Sequence, residues 1–251
     1  MGVIALTIVS CSKDEESTTE NDTTLTEAEV QTVLETDGVS GAADNIVRDI
    51  FNSEESGESA KNSCYVTTYF DTGFTVSFDN CRAEENGAVL DGGLTVTYQG
   101  TDDSLAYTIT FDDLMVGDMA LKGTRSFVFS AQNDNSIVYE VTSDMTVTMA
   151  NEKVVSENGT KTFAFILGEE WGTGKLTIDG DWTLQIDSDT YRVSVDQLLE
   201  TNFGCEHIGK GIMILNKNGL EVSLDFGDGD CDDMASLTYP DGTEVPYMLK
   251  K

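Results

Sequence analysis

From Tyr65 onward the chain alternates apolar and polar residues in short runs. Phe74, Val76 and Phe78 are separated by Thr75 and Ser77, and Leu105, Tyr107, Ile109 and Phe111 by Ala106, Thr108 and Thr110. The same period recurs at Met145, Val147 and Met149, at Trp182, Leu184 and Ile186, and at Tyr191, Val193 and Val195. A period of two puts one set of side chains on a buried face and the other in water, which is the pattern of an antiparallel strand. Roughly ten to thirteen strands fit the chain on this reading. Asn86-Gly87, Asp91-Gly92, Asn158-Gly159, Asn218-Gly219 and Asp241-Gly242 fall between runs and suit hairpin turns, because both central residues can take positive φ. No long helical pattern separates the strands, so parallel crossovers are not expected. The predicted fold is all-β: a large antiparallel meander, closed as a barrel or folded as a sandwich. Periodicity does not distinguish the two. A barrel would hold an apolar ligand behind residues such as Phe127, Phe129 and Met149.

A helical prelude over residues 26–52 precedes the strands. Thr26 can cap a helix, Glu29 stands three residues later, and Val30, Val33 and Leu34 form an apolar stripe before Asp37-Gly38 ends it. A second helix is predicted over 42–51, with Ile46, Val47, Ile50 and Phe51 on one face. Two short helices would cover an end or an edge of the sheet. Residues 25–251 are thus read as a single β-rich domain.

The beginning of the chain has a different character. Residues 1–10 are apolar but too few to span a bilayer, which takes about 20 residues, and they fit the end of a signal peptide. Ile8-Val9-Ser10-Cys11 resembles a bacterial lipobox, in which the cysteine is acylated and becomes the mature N-terminus. Ser12-Lys13-Asp14-Glu15-Glu16 resembles the lipoprotein export signal of Bacteroidota. No Lys or Arg precedes the apolar run, so the natural start is expected upstream of Met1. Residues 11–24 form a polar tract that cannot bury enough apolar surface to order itself and read as a flexible tether. The resemblance implies lipidation at Cys11 and display on the outer membrane, at the cell surface.

Charge narrows the partners. The formal net charge is −32, with 46 acids against 14 bases in 251 residues. Nucleic acid is not an expected partner, because phosphate neutralisation needs a basic patch. Attachment to an anionic membrane must then come from lipid rather than charge. Beyond Cys11 the chain has Cys64, Cys81, Cys205 and Cys231, an even number that argues for disulfides in an exported protein. Of three connectivities, Cys64–Cys81 with Cys205–Cys231 is favoured, since each pair brackets a local strand and turn. Four-thiolate zinc is disfavoured, as no Cys-x-x-Cys occurs.

The two cysteine regions look alike. Phe74-Thr-Val-Ser-Phe78-Asp79 leads into Cys81, and Leu220-Glu-Val-Ser-Leu224-Asp225 leads toward Cys231, as if they formed equivalent corners of the sheet. Asp225-Phe-Gly-Asp-Gly-Asp-Cys231-Asp232 and Asp79-Asn-Cys81…Gly92-Gly-Leu-Thr-Val-Thr-Tyr98 resemble the terminal signatures of uncharacterised Bacteroidota surface lipoproteins, with the segment before Cys81 shortened. That family implies a secreted β-rich domain and brings no activity with it.

Asp225, Asp228, Asp230, Asp232 and Asp233 are the densest supply of oxygen ligands and make calcium the one metal to consider, but the spacing is not that of an EF-hand and a solvated hairpin loop pinned by a disulfide needs no metal, so no cofactor is expected. His207, the only histidine, has no Gly-x-Ser-x-Gly nucleophile to serve. Trp171, between Glu169-Glu170 and Gly172, reads as a loop residue and is the candidate glycan contact, whereas Trp182 lies in a core register. With 46 acids no carboxylate pair can be singled out for glycoside hydrolysis. The function expected from sequence is non-enzymatic binding or scaffolding of a glycan or surface protein. An apolar-ligand barrel and a glycan-acting hydrolase are the alternatives.

Overall fold

The computed structural model describes residues 25–36, 64–82, 88–99, 105–133, 135–170 and 172–249. Cys11, the tether, the helix expected over 42–51, the Asn86-Gly87 turn and Trp171 lie outside these residues. A helix, α1, spans 27–36. Thirteen strands follow, and the first five are β1 (Tyr65–Phe70), β2 (Gly73–Arg82), β3 (Val89–Tyr98), β4 (Ala106–Val116) and β5 (Met119–Asn133). The middle of the chain supplies β6 (Ser136–Thr148), β7 (Val154–Leu167), β8 (Gly174–Ile186) and β9 (Asp189–Asn202). The last four are β10 (Lys210–Lys217), β11 (Leu220–Asp228), β12 (Met234–Thr238) and β13 (Glu244–Met248).

All thirteen form one antiparallel sheet in chain order, and β1 does not pair with β13. The meander expected from the alternation is therefore present, but neither closure applies: the sheet is not a closed barrel, and it is not split into the two sheets of a sandwich. Its inner face is continuous. One row of cross-strand partners runs Phe74, Val96, Ile109, Arg125, Ser143, Gly159, Trp182, Val193, Leu215 and Val222 across β2 to β11. Apart from the glycine, whose lack of a side chain sets it aside, each of these residues is buried.

Among the described residues α1 is the one helix on this face and is too short to cover it, so burial of the inward residues in one shared core requires the sheet to curl over itself. The devices that bend it are local. Register shifts interrupt β2, β3, β4 and β8, and Gly123, inside β5, has φ +106°. Glycine supplies that conformation where a side chain would be strained, and a Cβ there would meet the Asp144 carbonyl oxygen at 2.4 Å.

Two of the expected turns are instead strand interior. Asn158-Gly159 lies within β7, where Asn158 faces Asp144 and Gly159 faces both Ser143 and Trp182. Here the glycine answers to close approach rather than turning: a Cβ at Gly159 would sit 2.4 Å from Trp182 Cα. Asp91-Gly92 lies in β3 at a bulge. Asn218-Gly219 and Asp241-Gly242 do turn the chain, and both residues of the former have positive φ. Leu105, assigned to an inward register, precedes β4 and is exposed.

Both favoured disulfides are present, Cys64–Cys81 and Cys205–Cys231. The first ties the start of β1 to the end of β2. The second joins the β9–β10 and β11–β12 connections. Cys81 closes an even-numbered strand and Cys231 follows an odd-numbered one, so in a meander they lie at opposite ends of the sheet. The two cysteine regions are not equivalent corners.

Candidate functional site

α1 begins as its sequence requires. Thr26 Oγ1 accepts from Glu29 N, and Glu29 Oε2 accepts from Thr26 N at 2.8 Å, a reciprocal capping box. Leu25, Val30 and Val33 are fully buried beneath the helix. The polar side of the contact is a clamp to the sheet. Glu29 Oε1 accepts from Lys217 Nζ of β10 at 2.5 Å and from Tyr191 Oη of β9 at 2.8 Å. Tyr239 Oη donates to Leu25 O and Tyr247 Oη donates to Gln31 Oε1, which fixes the helix across β9 to β13. Burial alone would raise the Glu29 pKa. The hydrogen bonds from Lys217, Thr26 and Tyr191 outweigh it and bring the carboxyl down to about 2. Tyr191 moves the other way, raised by burial and by its bond to Glu29.

The rest of the inner face divides into two zones along the long central strands. Deepest are Arg125 of β5 and Glu157 and Lys161 of β7, all buried. Lys161 Nζ lies 3.3 Å and Arg125 Nη1 3.7 Å from Glu157 Oε1. Lys161 Nζ also sits over the Trp182 ring, 4.2 Å from its centroid. Room for these long side chains comes from Gly159 and Gly180, which face Ser143 and Lys161 across the ladders.

Further along the same strands comes a wall of aromatic rings. Tyr107 stacks on Phe127 with centroids 4.7 Å apart, Phe129 lies 5.4 Å from Tyr139, and Tyr139 lies 5.1 Å from Phe163. Phe165 continues the wall to Phe203 in the β9–β10 connection. Phe127 is buried; Phe129, Tyr139, Phe163 and Phe165 are half-buried; Ile137 and Phe203, at the rim, are 53 % and 37 % exposed. The wall thus grades from core to solvent on one face. Its rings lie within 10° to 30° of parallel from Tyr107 to Phe165. They cover one another's faces and present their edges.

Of the residues nominated to line a ligand site, Phe127 and Phe129 belong to this wall. Met149 does not. It follows the far end of β6, ten residues beyond Tyr139, which is about 33 Å along an extended strand.

The aspartate-rich segment does other work. Asp225 Oδ1 accepts from Gly227 N within β11, and Asp232 Oδ1 accepts from Met234 N in the β11–β12 connection, so each side chain serves its own local backbone. Asp228, Asp230 and Asp233 are exposed in the same segment, and among the described residues no three His, Cys, Asp or Glu side chains gather to hold a metal ion. His207 lies in the β9–β10 connection, where its backbone oxygen accepts from Thr201 Oγ1. Nearby, the Lys175 ammonium at 2.6 Å, with Lys210 at 3.5 Å, holds the Glu200 carboxyl below its usual range.

Sequence reasoning missed the Arg125–Glu157–Lys161 cluster, although a signal was present. Reading the inward register of β7 backward from Phe165 and Phe163 lands on Lys161 and Glu157. Treating Asn158-Gly159 as a turn cut that register in two. Comparison with known proteins adds no assignment: no family model, no curated protein and no solved structure matches this chain.

Proposed function

We propose that this chain is a non-enzymatic binding protein that takes up an apolar ligand against the aromatic wall of its rolled sheet. The single observation carrying this reading is the wall itself. Phe129, Tyr139, Phe163 and Phe165 lie half-buried on the inner face of three adjacent strands, and Ile137 and Phe203 lead out to solvent. A core that needed only to exclude water would not carry its apolar face to an exposed rim, and graded apolar surface of this kind suits a ligand.

Ring orientation separates this reading from glycan recognition. Sugars stack on open aromatic faces, whereas here the faces are taken by neighbouring rings, leaving edges that suit alkyl groups. For a hydrolase, Glu157 is the buried acid of the region, and its close neighbours are the cations Arg125 and Lys161 rather than a second carboxylate.

The resemblance of residues 8–16 to a lipobox and export signal supports placement at an outer-membrane surface, held by lipid on Cys11. In that setting a partly open apolar wall would meet ligands released from, or delivered to, the lipid phase. Two measurements test the reading. Displacement of an anilinonaphthalene dye by long-chain alkyl alcohols is expected for the wild type and weakened by Phe163→Ser, with circular dichroism confirming that the variant folds; absence of displacement in the wild type overturns it. Cys11→Ala is expected to move the protein from the membrane to the soluble fraction, and retention in the membrane would remove the lipid anchor.

A further inference from the structure

Two polar atoms lie deep on the inner face without a hydrogen bond. They are Glu157 Oε2 and Trp182 Nε1, and the described residues supply a partner to neither. The Glu157 side chain is fully enclosed, and Trp182 is 4 % exposed. A buried carboxylate oxygen or indole N–H is normally satisfied, and one left bare in the interior is costly. The two atoms also belong to one place. Trp182 faces Gly159 across the β7–β8 ladder, one inward position along β7 from Glu157. Lys161 Nζ lies 3.3 Å from Glu157 Oε1 and 4.2 Å from the Trp182 ring centroid, so carboxylate and indole meet at the same ammonium. The β6–β7 and β7–β8 ladders run without a register shift, and the inward order along β7 is Glu157, Gly159, Lys161, Phe163 and Phe165. Gly159, opposite Trp182, is about 20 Å along the strand from Phe165, a distance that an extended long alkyl chain spans.

We infer that Glu157 and Trp182 form the head-group subsite for the ligand of the aromatic wall, and that this ligand is a long-chain molecule ending in a neutral hydroxyl group. The inference rests on the wall as the seat of the alkyl chain. The head group follows from what the two atoms can exchange. Trp182 Nε1–H only donates, and the Glu157 carboxylate, whose Oε1 faces Arg125 and Lys161, only accepts. One small group must therefore accept from the indole and donate to Oε2. A hydroxyl does both at a single oxygen. An ether or ester accepts from the indole but leaves Oε2 bare, and that omission weakens binding where the acceptor is buried. A carboxylate head has no proton to give and sets a second negative charge against Oε2. Water has the same two capacities as a hydroxyl, so a water held there permanently is one outcome of the test.

The test is an NMR titration of the isotope-labelled full chain with three probes of equal chain length: tetradecanol, its methyl ether and tetradecanoate. The chain has two tryptophans, and Trp171→Phe assigns the Trp182 indole N–H resonance. Tetradecanol is expected to shift that resonance saturably, together with the ring resonances of Phe129, Tyr139 and Phe163. The ether and the anion are each expected to bind at least about tenfold more weakly. Glu157→Gln, with circular dichroism to show that it folds, is expected to narrow the preference for alcohol over ether; a folded variant that keeps the full preference overturns the proposal. Where that variant fails to fold, the indole resonance of the wild type decides. Ring shifts with equal affinity for alcohol and ether, and an indole resonance that tetradecanol leaves still, as a permanent water would, overturn the subsite while the wall reading stands. Tighter binding of tetradecanoate assigns the head group to Arg125 and Lys161 and overturns the hydroxyl. Ring resonances that no probe moves overturn the wall reading and the subsite with it.

Discussion

The clamp between α1 and the sheet can be isolated with Glu29→Gln. The substitution keeps the side chain's size and one acceptor oxygen but removes the charge that faces Lys217 at 2.5 Å. Lys217 is itself buried, with Asp189 Oδ2 3.6 Å from its Nζ. Lowering the Glu29 pKa from 4.5 to about 2 is worth about 3.4 kcal/mol at full value. Glu29 keeps part of its hydration, and screening of such a pair reduces this to about 1–2 kcal/mol. The sign follows from the depressed pKa. The contribution is complete above the unfolded value of 4.5 and is lost as pH falls through about 2. Urea unfolding of wild type and variant at a series of pH values reads it directly, because all other titrating groups are common to both. The wild type is expected to exceed Glu29→Gln by about 1–2 kcal/mol at neutral pH, and the gap to shrink between pH 4.5 and about 2. A gap that persists unchanged at low pH would show that the charge is not the cause. No gap at neutral pH would show that the clamp does not hold the helix.

Three other expectations are independent of this one. Gly159→Ala places a methyl 2.4 Å from Trp182 Cα, so β7 and β8 must shift apart; a loss of about 1–3 kcal/mol in thermal unfolding is expected, and no loss would mean the strands approach less closely than described. Replacing Cys205 and Cys231 together by alanine opens a loop with a sequence separation of 26 and is expected to cost about 3 kcal/mol in urea unfolding; a cost well under 1 kcal/mol would show that the cross-link constrains little. Calcium is expected to leave the melting temperature unchanged, because Asp225 and Asp232 accept bonds from backbone N–H groups two residues on and, among the described residues, no ligand cluster forms around them; a rise on calcium addition would contradict that geometry.

Much of this architecture can be read from alternation alone. Phe74, Val76 and Phe78 face inward and Thr75 and Ser77 outward, as period two requires, and the capping box of Thr26 and Glu29 starts α1 where its residues predict. Disulfide pairing followed from proximity in sequence. Closure did not, because it depends on how much each bulge and glycine bends the sheet, and the alternation of a rolled open sheet is the same as that of a barrel. Gly159 illustrates the limit. Asn-Gly favours a hairpin when the residues beyond it pair with each other, but here Asn158 and Gly159 pair with β6 and β8 on either side, and the glycine admits Trp182. Glu29 was legible as a cap, yet its contact with Lys217, 188 residues away, was not. Nor was the aromatic wall, since the stacking of Phe129, Tyr139 and Phe163 depends on the register of three strands rather than on any one of them.

The central claim is that the wall formed by Phe129, Tyr139, Phe163 and Phe165 receives an apolar ligand. The most direct measurement is an NMR titration of the labelled chain with a long-chain alkyl alcohol, following aromatic and methyl resonances. Saturable shifts are predicted at these rings and at Ile137 and Phe203 on the rim, with Val76, Leu94 and Leu224 in the covered core unmoved. No saturable shift, or shifts confined to outward-facing residues such as Val128, would contradict it.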